Sequence, residues 1–400
     1  MKKVFGLKGR IRHYAWGGQR FIPELLGISS DHDPYAEYWL GAHVNAPALV
    51  ETEEGEIPLD AFLKSNAEVF LGEETYKMFG RLPFLFKVLD VHEMLSIQVH
   101  PSKIEAEKGF KKENELGIPL TAPNRNYKDD NHKPEIMVAL GEFWLLHGFL
   151  PKENLLEVLH KNPEFEALTA IFLKDGYKGL YRYVMEMPLP ESDKILRPLV
   201  NKLLPLYAEN KLSKSSPEYW AAKAVAEFGI DDHLDKGIFS IYFFNILKVN
   251  KGEAVFQDAG VPHAYLEGQT IELMANSDNV LRGGLTPKHV DVPELLKHVV
   301  FEETKPEILK GTIEENGVER QYKSPAPDFE LSEVTLGPDN SYRGKSTSVE
   351  IYILMEGEIR VTEKETSLVL KKGESFLVLA GAEYQISTAN HAVLYKATTP

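Results

Sequence analysis

The 400-residue sequence contains no cysteine. Disulfide bonds are therefore excluded, and any metal ion must be bound through nitrogen and oxygen ligands. Basic residues are scarce relative to acidic ones, because 45 Lys and Arg stand against 60 Asp and Glu, and the formal net charge is −15. This charge argues against nucleic acid and against anionic membrane surfaces as partners.

Long hydrophobic runs are also missing. The longest, such as residues 238–247, are about half the length of a membrane span. The basic residues near the amino terminus are not followed by a continuous apolar segment, so we expect no secretory signal and a cytoplasmic location. We expect a monomer or a weak homo-oligomer.

The hydrophobic periodicity changes twice along the chain. Short strand-like runs, broken by Gly, Pro and Asp, make up residues 1–60. From 151 to 237 the apolar residues recur at intervals of three and four, which predicts helices. Strand-like sequence resumes at Ile238. The sequence therefore predicts a mainly β protein with an α-helical insert.

An internal repeat supports two copies of one β unit. The segment 251–263 resembles the segment 372–384, and both keep Lys-Gly-Glu and Ala-Gly at the same separation. The copies are offset by 121 residues, so His263 of the first corresponds to Tyr384 of the second. A repeat that keeps its glycines but loses its histidine predicts a shared fold with a metal site in the first copy alone.

Four residues are candidate metal ligands. Gln98 and His100 are two apart on a predicted strand, which points both side chains to one face about 7 Å apart. Glu135 begins an apolar strand after the polar loop 112–133, and His263 follows the first copy of the repeat. A single strand histidine is more often a core or surface residue than a ligand, and Gln is an unusual ligand.

A second cluster, residues 272–288, carries Arg282 and Lys288 around paired glycines. It is either a turn with solvated charges or an anion site in which the glycine backbone closely approaches a ligand.

Taken together, six segments resemble the type I mannose-6-phosphate isomerases: 14–17, 36–43, 95–101, 131–135, 260–265 and 275–288. This resemblance implies two cupin-type jelly-roll β domains plus a helical domain. It implies a catalytic cupin formed by 1–150 and 238–300, a helical insert at 151–237, and a degenerate cupin-like domain at 301–400.

The resemblance also implies a site. One zinc ion (Zn2+) per chain would be bound by Gln98, His100, Glu135 and His263. Arg282 would be the catalytic residue. The residues expected to bind or surround a phosphorylated hexose are Trp16, Ser96, Lys133, Glu272, Tyr265 and Lys288.

The implied activity is a metal-dependent aldose–ketose isomerisation that interconverts mannose 6-phosphate and fructose 6-phosphate through an enediol. Three candidates for the general base stay open, namely Glu272, His132 and a zinc-bound water or hydroxide. The alternatives are a cupin oxygenase, since two His and a carboxylate also describe a non-haem iron site, and a non-catalytic bicupin that binds sugar phosphate. Stoichiometric iron with oxygen uptake would indicate the first, and binding without turnover the second.

Overall fold

The computed structural model describes residues 2–228 and 233–400. None of the helices in these ranges is long and apolar enough to cross a membrane.

The first 150 residues form short strands with a few helices between them. Their strands are β1 (Val4–Lys8), β2 (Arg10–Arg12), β3 (Glu37–Gly41), β4 (Leu49–Thr52), β5 (Gly55–Pro58), β6 (Phe84–Val91), β7 (Gln98–Val99), β8 (Glu135–Ala139) and β9 (Phe143–Phe149). Their helices are α1 (Phe21–Leu26), α2 (Leu59–Lys64), α3 (Ala67–Leu71), α4 (Glu73–Phe79) and α5 (Lys103–Glu115). Glu135 begins β8, as the sequence predicts.

The middle of the chain is helical. It contains α6 (Lys152–Lys161), a three-ten turn (Pro163–Phe165), α7 (Glu166–Glu186), α8 (Leu189–Ala208), α9 (Pro217–Phe228) and α10 (Gly237–Phe243). The prediction that strand resumes at Ile238 is wrong, because α10 is helical and strand begins at Phe244. Every residue of α10 is buried, so the run is apolar on all sides and its periodicity does not distinguish a helix from a strand.

Strands return after α10. Up to residue 300 the chain forms β10 (Phe244–Val249), β11 (Ala254–Gln257), β12 (His263–Ala275), β13 (Leu281–Arg282) and one helix, α11 (Val292–His298). The remaining strands are β14 (Thr312–Ile313), β15 (Glu319–Tyr322), β16 (Glu330–Leu336), β17 (Ser341–Lys345), β18 (Glu350–Glu356), β19 (Glu358–Glu363), β20 (Thr366–Lys371), β21 (Ser375–Val378), β22 (Glu383–Ser387) and β23 (Ala392–Thr398).

The strands form three sheets. One runs β10-β9-β12-β6-β3-β2, with β7, β8, β11 and β13 attached through β12 and its neighbours. A second runs β14-β15-β16-β23-β18-β21-β1-β4-β5, and a third runs β17-β22-β19-β20. Because β1, β4 and β5 lie in a sheet with C-terminal strands, the chain crosses between sheets early. The division into 1–150 with 238–300, 151–237 and 301–400 stays a proposal.

The two faces of the first sheet have different neighbours. Alternate residues of a strand point to opposite faces. Phe143 and Leu145 of β9 join an apolar cluster with residues of β6, β8, β11 and β12 on one face. Trp144 and Leu146, between them, pack into the core of the helical region on the other face. The first face also carries the candidate site.

Candidate metal centre and active site

Three predicted site residues lie side by side on neighbouring strands. His263 of β12 is paired with Gln98 of β7, and Gln98 is paired in turn with Arg282 of β13. Directly opposed residues of antiparallel strands point to the same face of a sheet. The topology therefore places two predicted ligands and the predicted catalytic arginine in one row.

His100, Glu135 and His263 converge on one point. Each offers a ligand atom, and these atoms all lie within 4.8 Å of one another. Nε2 of His100 lies 3.4 Å from one carboxylate oxygen of Glu135, and Nε2 of His263 lies 3.3 Å from the other. Two imidazoles and a carboxylate form a common ligand set for zinc. Within the described ranges this is the one group of three or more His, Asp and Glu side chains so arranged.

The state of the two rings also fits a metal ion. Nδ1 of His100 lies 2.8 Å from the carbonyl oxygen of Asn279, and Nδ1 of His263 lies 3.0 Å from that of Val261. A carbonyl only accepts, so Nδ1 of each neutral ring carries the proton and Nε2 offers its lone pair. Nε2 of His100 is fully buried and has no hydrogen-bond partner among the described residues. Such orphaned atoms are rare, and an ion at this point would satisfy it.

Electrostatics keep these ligands in the form that binds metal. Burial, and then the charge of Lys133, lowers the pKa of His100 to about 4. Burial alone would raise the pKa of Glu135, but Lys133 and His100 outweigh it and hold that pKa well below its usual range. Near neutral pH, His100 therefore presents a neutral imidazole and Glu135 an ionised carboxylate, and both forms bind divalent ions.

Next to the ligands lies a buried charge cluster. Nζ of Lys87 donates to Glu272 at 2.8 Å and lies 3.7 Å from Glu37, and all three side chains are less than a tenth exposed. Burial opposes the charge of Lys87, but the two carboxylates outweigh it and raise the Lys87 pKa. Burial raises the pKa of Glu272, and Lys87 offsets part of that shift.

Arg282 lies in a region of unpaired positive charge. Its side chain forms no hydrogen bond or ion pair within the described part of the chain, and burial lowers its pKa. Burial lowers the pKa of Lys288, and the charge of Arg282 lowers it further. Burial and the charge of Arg125 are the larger causes of the lowered pKa of Lys128, and Arg282 makes a smaller contribution. Arg282 and Lys288 form no ion pair among the described residues, and two like charges of this kind are suited to a bound anion.

Comparisons with known proteins agree with this geometry. Residues 4–152 match the family model for the phosphomannose isomerase type I catalytic domain. The mannose-6-phosphate isomerase of Salmonella typhimurium is 38% identical over 377 residues, which cover 92% of this chain and 93% of that protein. The mouse protein of the same name is 31% identical over 425 residues, 100% of this chain and 96% of its own. The chain belongs to the mannose-6-phosphate isomerase family.

Solved structures of the family share its fold. A crystal structure of a phosphomannose isomerase mutant from Salmonella typhimurium superposes with a TM-score of 0.91 at 34% identity, and all of both chains is covered. A zinc-bound crystal structure of mannose 6-phosphate isomerase gives 0.89 at 34% identity, again over all of both chains. The predicted fold class, cupin-type β with a helical part, is confirmed. Zinc fits the ligand cluster of this family member.

Among the remaining predicted residues of this isomerase-family chain, Lys133 lies at the cluster. Nζ of Lys133 lies 2.9 Å from the Glu135 carboxylate, so this lysine contacts a candidate ligand directly. Tyr265 is buried, and burial followed by the charge of Glu272 raises the pKa of its hydroxyl. Trp16 packs against the apolar cluster that contains Tyr265. Ser96 is half-buried, two residues before Gln98, and Lys288 is exposed.

His132, one of the three candidate bases, is engaged elsewhere. Its Nε2 lies 2.8 Å from Oδ2 of Asp328, a buried residue between β15 and β16. This contact directs the ring toward the C-terminal sheet.

Lys87 and Asn279 lie at the site but are not predicted from the sequence. Lys87 does leave a signal, because it is the one basic residue in the otherwise mostly apolar β6. Asn279 is fully buried, and its side-chain amide forms hydrogen bonds with the backbone of residues 128–131. Its backbone carbonyl oxygen faces the His100 ring. Nothing in the local sequence distinguishes it from a turn asparagine.

His147 and Gln257 are also missed. His147 of β9 is paired with His263, and its Nδ1 lies 2.7 Å from the side-chain oxygen of Gln257. Gln257 is in turn paired with Glu135. Both residues therefore lie beside the ligands on neighbouring strands, a position that only the strand register reveals.

Proposed function

We propose that this chain is a metal-dependent aldose–ketose isomerase that interconverts mannose 6-phosphate and fructose 6-phosphate by proton transfer through an enediol. The observation that carries the proposal is the buried His100, Glu135 and His263 cluster beside the unpaired Arg282, in a chain of this family. An aldose–ketose isomerase needs to hold the sugar oxygens in place and stabilise developing negative charge next to the reacting carbons.

The proposed ligands of one zinc ion per chain are Gln98, His100, Glu135 and His263. Three supply the convergent donor atoms, and the strand pairing supports Gln98 as the fourth because it stands directly opposite His263. When bound, the ion would act as a Lewis acid toward the substrate oxygens.

Arg282 is proposed to stabilise the enediolate. Its guanidinium keeps its charge throughout the pH range of enzymes, and no carboxylate of the described chain pairs with it. Its position opposite Gln98 keeps it within one strand spacing of the ligand row. A fixed positive charge with no internal partner is available to the oxyanion that forms between C1 and C2.

Glu272 is the proposed base that moves the proton between C2 and C1. General-base catalysis favours a pKa near the working pH, and burial raises the pKa of this carboxyl. Glu272 also lies two residues along β12 from Met274, the strand partner of Glu135, and so faces the same way. His132 is less suited, since Asp328 already engages its ring.

Phosphate binding is proposed for the cationic side of the site. Lys288, with Arg282 near it, is free of internal ion pairs among the described residues, whereas Lys133 is paired with Glu135. We therefore propose that Lys288 binds the phosphate. Lys133 is proposed both to hold the Glu135 carboxylate in place and to contact the substrate. Trp16, Ser96 and Tyr265 are proposed as walls of the pocket.

The proposal is tested by a coupled assay on mannose 6-phosphate before chelation, after chelation and after zinc is added back. We expect turnover that disappears with the chelator and returns with zinc. Zinc-loaded protein that binds the sugar phosphate without turning it over would overturn the proposal. Oxygen uptake with stoichiometric iron would do the same.

A cytoplasmic location and a monomer or weak homo-oligomer belong to the same proposal. The net charge of −15 supports a chain that repels its own copies. Light scattering at micromolar concentration tests the second point, and a stable dimer would contradict it.

A further inference from the structure

The segment that follows Arg282 is held by a single carboxylate from the helical region. Asp235 lies just before α10, and its Oδ1 accepts the backbone N–H of Gly237 at 2.6 Å and of Leu285 at 2.8 Å. Its Oδ2 accepts the N–H of Thr286 at 3.1 Å. Hydrogen bonds to an ionised acceptor are among the stronger ones in proteins, and here one side chain makes three.

The two backbones touch at this point. Gly284 has a φ of +115°, and a Cβ on it would lie 2.6 Å from both the Cα and the N of Gly237. The same atom would lie 2.7 Å from Oδ1 of Asp235. Glycine is therefore required, because any side chain would push the segment away from the carboxylate.

Leu285 is held in a strained conformation. Its φ is +54°, although it is not a glycine, and its side chain is buried in the core of the helical region. A left-handed backbone is unfavourable for such a residue and persists where its surroundings fix it. Here Asp235 fixes its N–H and the helical core fixes its side chain.

The other side of the same segment is joined to the metal centre. The N–H of Gly283 donates to the carbonyl of Ile97 at 2.8 Å, and the N–H of Ile97 donates to the carbonyl of Gly284 at 3.0 Å. Ile97 directly precedes Gln98, and Arg282 precedes Gly283. The segment 283–286 is thus a short bridge between the candidate ligand strand and the helical region, with Arg282 at one end and Lys288 just beyond the other.

We propose that Asp235 is a positioning residue of the isomerase: it holds the strained 283–286 bridge against the helical region and so fixes Arg282 and Lys288 for catalysis. Asp235 is not expected to touch the substrate. Without it, three backbone N–H groups lose their acceptor, and Leu285 is free to leave its left-handed conformation. The inference rests on the proposed function for its kinetic consequence, but not for the structural one.

The test compares Asp235→Asn and Asp235→Ala with the matched control Glu363→Gln. Glu363 is also buried, and its carboxylate accepts the N–H groups of Lys3 at 2.9 Å and Val4 at 3.2 Å, in the C-terminal part of the fold. The control therefore removes a carboxylate clamp of the same kind that holds no part of the site. The measurements are kcat, KM for mannose 6-phosphate, bound zinc and amide hydrogen exchange of 283–288.

For Asp235→Ala we expect kcat/KM to fall about 100-fold, as a small misplacement of catalytic groups commonly does, with bound zinc unchanged. For Asp235→Asn we expect about a tenfold fall, because the amide oxygen can still accept from Leu285. If Asp235→Ala does not fold, Asp235→Asn alone decides. Glu363→Gln should lower thermal stability while kcat and KM stay within twofold.

Kinetic constants of Asp235→Asn within twofold of wild type would overturn the inference, and so would unchanged exchange of Leu285 and Thr286. A wild-type protein that fails to turn over mannose 6-phosphate would instead overturn the proposed function. In that case the hydrogen exchange of the two amides still decides whether Asp235 holds the bridge.

Discussion

His100 and His263 are oriented by the main chain rather than by other side chains. Each donates Nδ1–H to a backbone carbonyl and directs Nε2 at Glu135. A backbone carbonyl does not titrate, so the orientation of each ring does not depend on the protonation state of a partner side chain. The carboxylate between the rings depends more on its surroundings, since Lys133 holds its pKa low.

Two substitutions of Arg282 separate the effect of its charge from the effect of its shape. Arg282→Ala should lower kcat/KM on mannose 6-phosphate about 100-fold to 1000-fold, the effect of removing one preorganised oxyanion donor. Arg282→Lys should recover only part of this loss, because an ammonium lacks the planar fork of donors. Steady-state kinetics measure both, and zinc content confirms that the metal centre is intact.

The matched control is Arg343→Ala, an exposed arginine of β17. It should leave kcat/KM unchanged. Equal losses in the Arg282 and Arg343 variants, or a loss below threefold in Arg282→Ala, would contradict the assigned role.

Sequence alone reaches some of these residues and not others. A proline adjoins each of the three candidate ligands His100, Glu135 and His263 in the sequence. Each also lies within a segment that resembles the family, so all three can be chosen before the fold is known. Asp235 and Asn279 act through bonds to segments about 50 and 150 residues away. Their neighbours in sequence carry no trace of those partners, and only the folded chain shows them.

At the scale of elements, the internal repeat is reproduced as structure. β11 and β21 are strands of equal length separated by the same 121 residues as the two sequence segments. Tyr384 replaces His263, and its hydroxyl bonds to the buried Glu350. The second copy thus satisfies its interior polar groups with one another.

The element that sequence mispredicts is α10. Its seven residues are all buried and most are apolar, so no exposed polar stripe marks the helix. Its first residue, Gly237, lies against the backbone of Gly284, a close approach that requires glycine at position 284. That requirement is tertiary and leaves no periodic signal.

Helix α11 and the loop that leads to Glu135 are joined by Glu294. Its carboxylate accepts from the Tyr127 hydroxyl at 2.7 Å, lies 3.5 Å from Nε2 of His298 and also pairs with Lys297. The bond to His298, more than the opposing effect of burial, lowers the pKa of Glu294, and Lys297 and Tyr127 add to the shift.

A pKa below that of the unfolded chain means that Glu294 stabilises the fold above about pH 4.5 and loses this effect as the pH falls. Glu294→Gln should therefore lower the melting temperature by about 2 °C at pH 7, and the difference should narrow below pH 4. Thermal scans at pH 7, 5 and 3.5 measure this. The exposed Glu307→Gln is the control, and a gap that widens in acid would contradict the argument.

At the scale of the whole molecule, the C-terminal part of the chain contacts the loop that leads to Glu135. Asp328 is 1% exposed and engages His132, three residues before Glu135. Asp328→Asn keeps the shape of the contact but removes its charge. We expect kcat/KM to fall about tenfold, since the loop that carries Lys133 and leads to Glu135 loses a charged contact that holds it in place.

The exposed Asp339→Asn serves as control for Asp328→Asn and should behave as wild type. Kinetics and zinc affinity are measured on full-length protein. Unchanged kinetics in Asp328→Asn would show that the C-terminal sheet supports the fold without influencing the site.

One pairing has a consequence for how the protein is made. β1 lies between β4 and β21, and Val4 is paired with Val378. At synthesis rates of about 5–20 residues per second, β1 leaves the ribosome roughly 20–70 s before its second partner exists. During that interval one of its edges is open to other strands, a known route to aggregation. Translation speed and chaperone supply should therefore affect how much of this protein reaches the folded state. They should have no effect on the stability of the folded protein.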